Sequence, residues 1–188
     1  MDDFYVITGG PGAGKTTLIE ALEARGYGQT VEAGRFISQV QAAVGGPAGH
    51  AGDRVLYAEL MLMHEIRSHA AATGTTFFDR GVPELCGYLE MCGLPVAAHF
   101  ERAAALYRYN RTVFAAPPWR EIFVNDAERK QDFAEAITTY ERCTAAYRAR
   151  GYEIVDLPKV SVEERVAFVM EKLGRGGGGA RLGEPPNS

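Results

Sequence analysis

The sequence predicts an α/β fold, a three-layer sandwich in which helices cover both faces of a five-stranded parallel sheet. Two observations predict it. Five short apolar runs alternate with helical stretches along the chain, which is the order typical of parallel sheets. A glycine-rich segment follows the first apolar run, and charged residues follow the second and third. Ligands of open parallel sheets bind at the carboxyl ends of the strands, so the residues of these segments are candidates for the binding site.

Composition limits the function classes. The chain has 188 residues, 46% of them hydrophobic, and a net charge of −4. This predicts one buried core and no general binding of nucleic acid. We expect a domain over residues 1–173 and a disordered Gly- and Pro-rich tail over 174–188.

The expected location is the cytoplasm, with no membrane partner. No apolar run reaches 18 residues, and the first strand follows Met1 too closely to leave room for a signal peptide. Cys86, Cys92 and Cys143 lack metal-ligand spacing, so we expect reduced thiols.

The first two strand–helix pairs have clear local signals. Residues 4–7 are an apolar run, and the helix that follows carries Leu18 and Leu22 on one face before Gly26 ends it. A short second strand ends at Val31, and a helix is predicted over residues 33–44.

Asp53 can cap the third helix, and the third strand is predicted over residues 75–78. Two helices flank the turn at residues 93–95, and a fourth strand covers 113–115. The apolar stripe of the third helix consists of Leu56, Leu60 and Met63.

The last elements are a long helix, a strand and a final helix. The long helix is predicted from Asp126 to Gly151, and the fifth strand covers 153–157. Ser161 and Glu164 form a capping box for the final helix. Gly174 is expected to end that helix.

The glycine-rich segment matches the P-loop pattern G-x-x-x-x-G-K-[ST]. Its glycines let backbone N–H groups turn toward a phosphate chain at a helix N-terminus. Lys15 is expected to contact the terminal phosphates, and the Thr16 hydroxyl to hold magnesium. The chain is therefore predicted to bind a nucleoside triphosphate. The predicted binding residues are Gly9, Gly10, Pro11, Gly12, Ala13, Gly14, Lys15, Thr16 and Thr17.

Charged residues after two strands predict the chemistry. Asp79 can hold a metal-bound water or accept a hydroxyl proton, and Arg80 can clamp an acceptor's phosphate or carboxylate. The alternative is a local Asp79–Arg80 salt bridge. Glu32 can act as base or sugar-hydroxyl anchor beside Arg35, and the alternative there is a helix-surface pair.

The segment after the fourth strand is predicted to form a lid. It opens with two prolines and contains Trp119, Arg120 and Arg129. Arg120 is predicted to bind the nucleotide, and Arg129 to neutralise charge on the transferred phosphoryl group. The alternative is a solvated helix start with Asp126 as its N-cap.

Taken together, these motifs resemble the small AAA-domain ATPases of the NadR-like type, which are related to P-loop nucleoside and nucleotide kinases. The resemblance covers residues 4–173 and implies a P-loop NTPase sheet of order 2-3-1-4-5 that binds ATP and Mg²⁺. Two departures exclude other classes. The Asp-Glu pair of AAA+ motors is missing, since Arg80 follows Asp79, and no Asn-Lys-x-Asp motif for guanine occurs, which favours ATP.

The predicted function is transfer of the γ-phosphoryl group of ATP to a small hydroxylated or nucleoside-like acceptor. A slow ATPase or GTPase switch and an antibiotic-modifying kinase remain alternatives. The acceptor, the oligomeric state, and the choice of Glu32 or Asp79 as base stay open.

Overall fold

A computed structural model describes residues 3–123 and 132–176. Its five strands all pair in parallel, in the order β2-β3-β1-β4-β5. This confirms the predicted fold class and strand order. The strands are β1 Phe4–Gly9, β2 Gly28–Gln29, β3 Thr76–Asp79, β4 Thr112–Ala116 and β5 Glu153–Asp156.

Helices cover both faces of the sheet. Alternation along β1 sends Tyr5 and Ile7 into a core with α1 and α7, whereas Val6 enters a core on the α6 side. A third cluster holds α2, α3, α4 and α5 together beside the sheet. The helices are α1 Lys15–Glu23, α2 Ala33–Val44, α3 Arg54–Ala71, α4 Val82–Met91, α5 Ala98–Leu106, α6 Phe133–Arg148 and α7 Val162–Gly176.

The start of α3 is confirmed, but its predicted apolar stripe is wrong. Asp53 Oδ1 accepts the backbone N–H of Leu56 at 2.9 Å, as expected for an N-cap. However, 62% of Met63 is exposed. The buried face instead carries Tyr57, Met61 and Glu65, because α3 packs between α2 and α4 through residues spaced by four.

The second strand and the first helix differ slightly from prediction. β2 ends at Gln29, two residues before Val31, and Glu32 becomes the residue that precedes α2. α1 begins at Lys15, inside the glycine-rich motif, because Gly14 adopts a left-handed conformation that ends the loop.

The last two helices also differ from prediction, α6 in the residue at which it begins and α7 in the residue at which it ends. Asp132 caps α6 through a capping box with Glu135, whereas the predicted start, Asp126, lies outside the described residues. The Ser161–Glu164 box is present, and α7 continues past Gly174 to Gly176. The rest of the predicted tail, residues 177–188, lies outside the described part of the chain.

Across residues 3–123 and 132–176, every helix is too short or too polar to cross a bilayer.

Candidate active site

The segment that joins β1 to α1 has room only for glycine at three positions. A Cβ on Gly10 would lie 2.4 Å from the Ala136 carbonyl oxygen. Gly9 has φ +134°, and a Cβ there would lie 2.3 Å from the Ala116 carbonyl oxygen. A Cβ on Gly12, which has φ +70°, would lie 2.7 Å from the Phe123 ring. The backbone therefore curves tightly around the N-terminus of α1, the geometry that presents N–H groups to an anion.

Lys15 lies inside this curve, with only 7% of its surface exposed. Its Nζ donates to the carbonyl oxygens of Gly9 at 3.1 Å and Gly10 at 2.9 Å. Burial and the nearby Arg80 lower the pKa of Lys15, whereas Asp79 and other carboxylates raise it. The ammonium group is thus held beside the loop, where phosphates would bind.

Asp79 ends β3 beneath the loop and is 4% exposed. Its Oδ1 has no hydrogen-bond partner among the described residues. Burial raises the pKa of Asp79 to about 6, although the charge of Lys15 opposes the shift. The buried, unpaired oxygen makes this carboxylate available to a cation or a water molecule.

Magnesium fits this set of residues if phosphates and water supply most of its ligands. Thr16 lies exposed at the start of α1 and lines the cleft, so its hydroxyl can join the shell, and Asp79 can bind a metal-held water. No group of three or more His, Cys, Asp or Glu suited to a metal occurs within residues 3–123 and 132–176.

Arg80 joins two carboxylates at the edge of the sheet. Its Nε donates to Glu32 Oε1 at 2.9 Å, and its Nη1 donates to Glu84 Oε1. Arg80 has φ +74°, a conformation that costs a non-glycine residue about 1–2 kcal/mol. The two ion pairs hold it there, so its partners are Glu32 and Glu84 rather than Asp79.

Glu32 and Glu84, the two partners of Arg80, have different environments. Burial alone would raise the pKa of Glu32, but Arg80 and Lys15 outweigh it and hold the pKa at about 2. Glu84 is 6% exposed, and its Oε2 accepts from Thr8 Oγ1 at 2.6 Å. Cys143 Sγ also donates to Glu84 Oε1, at 3.0 Å. Glu32 is therefore ionised at neutral pH. Glu84 links Arg80 to β1 and α6 through its hydrogen bonds with Thr8 and Cys143.

A single cleft of about 860 Å³ joins these groups to the rest of the site. Thr17 lines it beside Thr16. One end is formed by Trp119, Ile122 and the start of α7. The other end lies among α2, α3 and α4, and its lining includes His50, Tyr57, Met61, Glu65, Leu85 and Tyr88. The phosphate-binding loop and the Glu32–Arg80 pair lie between the two ends.

Residues 4–165 match the family described as AAA domain. The chain belongs to this family. Its fold is similar to that of NadR in complex with NR, with a TM-score of 0.67 and 17% identity over 97% of this chain and 54% of NadR. The AAA domain described here thus spans about half the length of that NadR chain.

Two kinases have the same fold at lower identity. Deoxyadenosine kinase from M. mycoides with bound dATP has a TM-score of 0.55 and 13% identity over 91% of this chain and 98% of its own. Thymidylate kinase from Ehrlichia chaffeensis has a TM-score of 0.59 and 13% identity over 93% of this chain and 100% of its own. No curated protein sequence matches. These similarities confirm a P-loop kinase-like domain.

Three predicted arginines have different positions in this AAA domain. Arg35 is exposed in the first turn of α2 and lines the cleft near Glu32. Arg120 places its guanidinium 4.8 Å from the centre of the Phe133 ring and is not among the described residues that line the cleft. Arg129 lies outside the described residues.

Sequence reasoning missed three buried charged residues of the AAA-domain cleft, namely Glu65, Glu84 and Arg165. Glu84 had a signal, since it is a single acid in the apolar start of α4, four residues after Arg80. Glu65 and Arg165 occur in helices of mixed composition, where nothing distinguishes them from solvent-facing charges.

Arg165 connects α7 to the loop. Its Nη1 donates to the Ala13 carbonyl oxygen at 3.0 Å, and its Nε to that of Pro158 at 2.9 Å. The guanidinium lies 4.9 Å from the centre of the Trp119 ring, and burial lowers its pKa. Its Nη2 has no hydrogen-bond partner in the described part of the chain. Arg165 therefore supports the loop and leaves one donor free at the cleft.

Proposed function

We propose that this protein is a Mg·ATP-dependent phosphotransferase that moves the γ-phosphoryl group to a hydroxyl of a small, nucleoside-like acceptor. One observation carries the proposal: the cleft that contains the phosphate-binding loop is also lined by residues of α2, α3 and α4, here called the acceptor chamber, and Glu32 and Arg80 line it between the two. A hydrolytic switch needs only a water at that junction. A separate chamber with a paired acid and base supports a second substrate.

The donor side holds ATP through the loop and Lys15, a point charge for the terminal phosphates. Thr16 and Asp79 would hold magnesium, which neutralises phosphate charge during transfer. Trp119 and Ile122 supply apolar surface at the donor end of the cleft for the nucleoside part of ATP.

The side of the cleft that binds the phosphate acceptor also provides Glu32, the residue that takes up the hydroxyl proton. The acceptor's oxygen attacks the γ-phosphorus, the bond from that phosphorus to the leaving ADP oxygen breaks, and the hydroxyl proton passes to Glu32. Glu32 suits this role better than Asp79 because it lines the cleft beside Arg80, whereas Asp79 lies close to Lys15 on the phosphate side. A low pKa makes Glu32 a weak base, but a loose transition state needs little help from one. Arg80 orients Glu32 and offsets negative charge at the junction.

The names of the structural neighbours support a nucleoside- or nucleotide-like acceptor. Two of them are a deoxyadenosine kinase and a thymidylate kinase, and NadR was crystallised with NR. The described lining residues of the cleft favour an aminoglycoside no more than a nucleoside. Aminoglycosides are therefore included among the acceptors to be tested.

The test is acceptor-dependent ADP formation from Mg·ATP, measured with nucleosides, nucleoside monophosphates and aminoglycosides. We expect at least one nucleoside to raise the rate tenfold or more. Glu32→Gln should reduce this stimulation at least tenfold, because it removes both the proton acceptor and the ionic partner of Arg80. Glu59→Gln should retain the stimulation, because Glu59 pairs with His99 outside the cleft. ADP formation that no acceptor changes would indicate the switch. Stimulation by aminoglycosides alone would indicate the antibiotic kinase.

A further inference from the structure

Glu65 is a buried acid in the acceptor chamber with an unused oxygen. It lies on α3, is 3% exposed, and lines the cleft. Its Oε2 has no hydrogen-bond partner among the described residues. Leaving a buried carboxyl oxygen unpaired is destabilising, so a ligand that pairs it would recover that loss.

Aromatic side chains surround the same chamber. The centre of the His50 ring lies 5.2 Å from the centre of the Tyr57 ring and 5.3 Å from that of the Tyr88 ring. The centres of the two tyrosine rings are 5.9 Å apart. All three contacts are edge-to-face. The chamber offers apolar ring surface beside two buried polar atoms without a hydrogen-bond partner among the described residues, Glu65 Oε2 and the Tyr88 hydroxyl oxygen. This combination suits a planar ring with a polar edge.

The environment of Glu65 favours its uncharged form. Burial raises the pKa of Glu65 well above its ordinary value, and the negative charges of Glu84 and Asp79 raise it further. The charge of Arg80 acts in the opposite direction, but Arg80 is already paired with Glu32 and Glu84. A protonated carboxyl group presents an O–H donor beside a C=O acceptor, as a carboxamide does.

We propose that Glu65 selects the acceptor by hydrogen-bonding, as a neutral carboxyl group, to an amide- or amidine-type edge of the acceptor's ring, where a donor and an acceptor lie side by side. His50, Tyr57 and Tyr88 contact the ring itself. This inference rests on the proposed function, because it names the class of acceptor that the same chamber binds. A ring without such an edge leaves the carboxyl group unpaired and is rejected.

Two substitutions separate the possible roles of this residue. Glu65→Gln keeps a donor beside an acceptor in nearly the same shape and cannot ionise, whereas Glu65→Leu removes both. If the carboxyl group acts while neutral, the glutamine variant behaves like the wild type. If it acts as an anion, both variants fail alike. Replacing an unpaired buried acid by leucine should leave the melting temperature of the ligand-free protein equal or higher.

The experiment is calorimetric titration with adenosine, cytidine and D-ribose in the presence of a non-hydrolysable ATP analogue. Binding is measured rather than transfer, so a protein that binds nucleosides without phosphorylating them would refute the proposed function and not this inference. Adenosine and cytidine carry the required edge, and ribose lacks the ring.

We expect the wild type to bind at least one of the two nucleosides at least 100-fold more tightly than ribose. Glu65→Leu should reduce this preference at least tenfold, and Glu65→Gln should keep it within threefold. Three results would overturn the inference: no nucleoside preference in the wild type, an unchanged preference in Glu65→Leu, or an equal loss in both variants.

Discussion

At the residue scale, the site contains two carboxylates whose environments move their pKa values in opposite directions. Glu32 has a pKa of about 2 because Arg80 and Lys15 outweigh burial, and Asp79 has a pKa of about 6 because burial outweighs Lys15. Such divergence within one site is typical of carboxylates with different tasks. It supports Glu32 as the permanently charged acceptor-side group and Asp79 as the group that responds to a metal.

Asp79→Asn should stabilise the ligand-free protein at neutral pH. Because the folded-state pKa of Asp79 lies above its unfolded value, charging it costs folding energy, and stability falls as pH rises from about 4 to about 6. Denaturant unfolding at pH 8 should show the variant more stable by about 3 kcal/mol. At pH 4 the difference should nearly vanish. A less stable variant at pH 8 would mean that the charge has a structural role.

The same substitution should impair activity. We expect turnover to fall about 100-fold or more and the magnesium requirement to rise, because the carboxylate no longer holds a metal-bound water. In the wild type, kcat/KM should decline below pH 6 as Asp79 becomes protonated. Glu32 stays ionised throughout that range, so its titration should not change the pH profile of kcat/KM. Unchanged turnover in folded Asp79→Asn would contradict the assignment.

Residues at strand ends could be predicted from sequence, and residues within helices could not. Glu32 and Arg80 follow β2 and β3, and parallel pairing brings such ends to one edge. The structure brings Asp79 near Lys15 for the same reason. Glu65 and Arg165 become site residues only through the packing of α3 and α7, and no local pattern encodes that packing.

At the scale of elements, α7 supports the phosphate-binding loop through Arg165. Arg165→Met keeps the length of the side chain but removes the bond to the Ala13 carbonyl oxygen and the charge beside Trp119. We expect affinity for an ATP analogue to fall about tenfold, the usual scale for a hydrogen bond from a charged group. Lys172→Met on the same helix is the control. Equal affinity in both variants would place Arg165 outside nucleotide binding.

The lid role of the segment between β4 and α6 stays a prediction, since Arg129 lies outside the described residues. Arg129 is expected to contact the transferred phosphoryl group, so Arg129→Ala should lower turnover more than it weakens ATP binding, because the contact strengthens as charge develops. Steady-state kinetics with ATP-analogue binding would measure both. Arg148→Ala, at the far end of α6, is a control for loss of charge. A normal turnover number in Arg129→Ala would remove this residue from the mechanism.

Elements were predicted well where a local signal fixes them. Asp53 and the Ser161–Glu164 box begin their helices as expected, since a cap acts within a few residues. The buried face of α3 was predicted wrongly because it depends on contacts with α2 and α4, and Met63 is exposed even though it is apolar.

At the scale of the whole molecule, the two ends of the cleft belong to different packing units. The donor end is built on the sheet with α1 and α7, and the acceptor end on the separate cluster of α2, α3, α4 and α5. The junction contains Arg80, which lies between β3 and α4 and is bonded to Glu32, just before α2, and to Glu84 of α4. Such an arrangement would bring two substrates to one point, as the proposed transfer requires.

The most direct test of transfer is the destination of the label from γ-³²P-ATP in a mixture that contains nucleosides. We predict that label appears on a nucleoside at a rate well above its release as inorganic phosphate, and that Lys15→Ala abolishes both. Label found only as inorganic phosphate, at a rate that nucleosides do not change, would rule out transfer to a nucleoside.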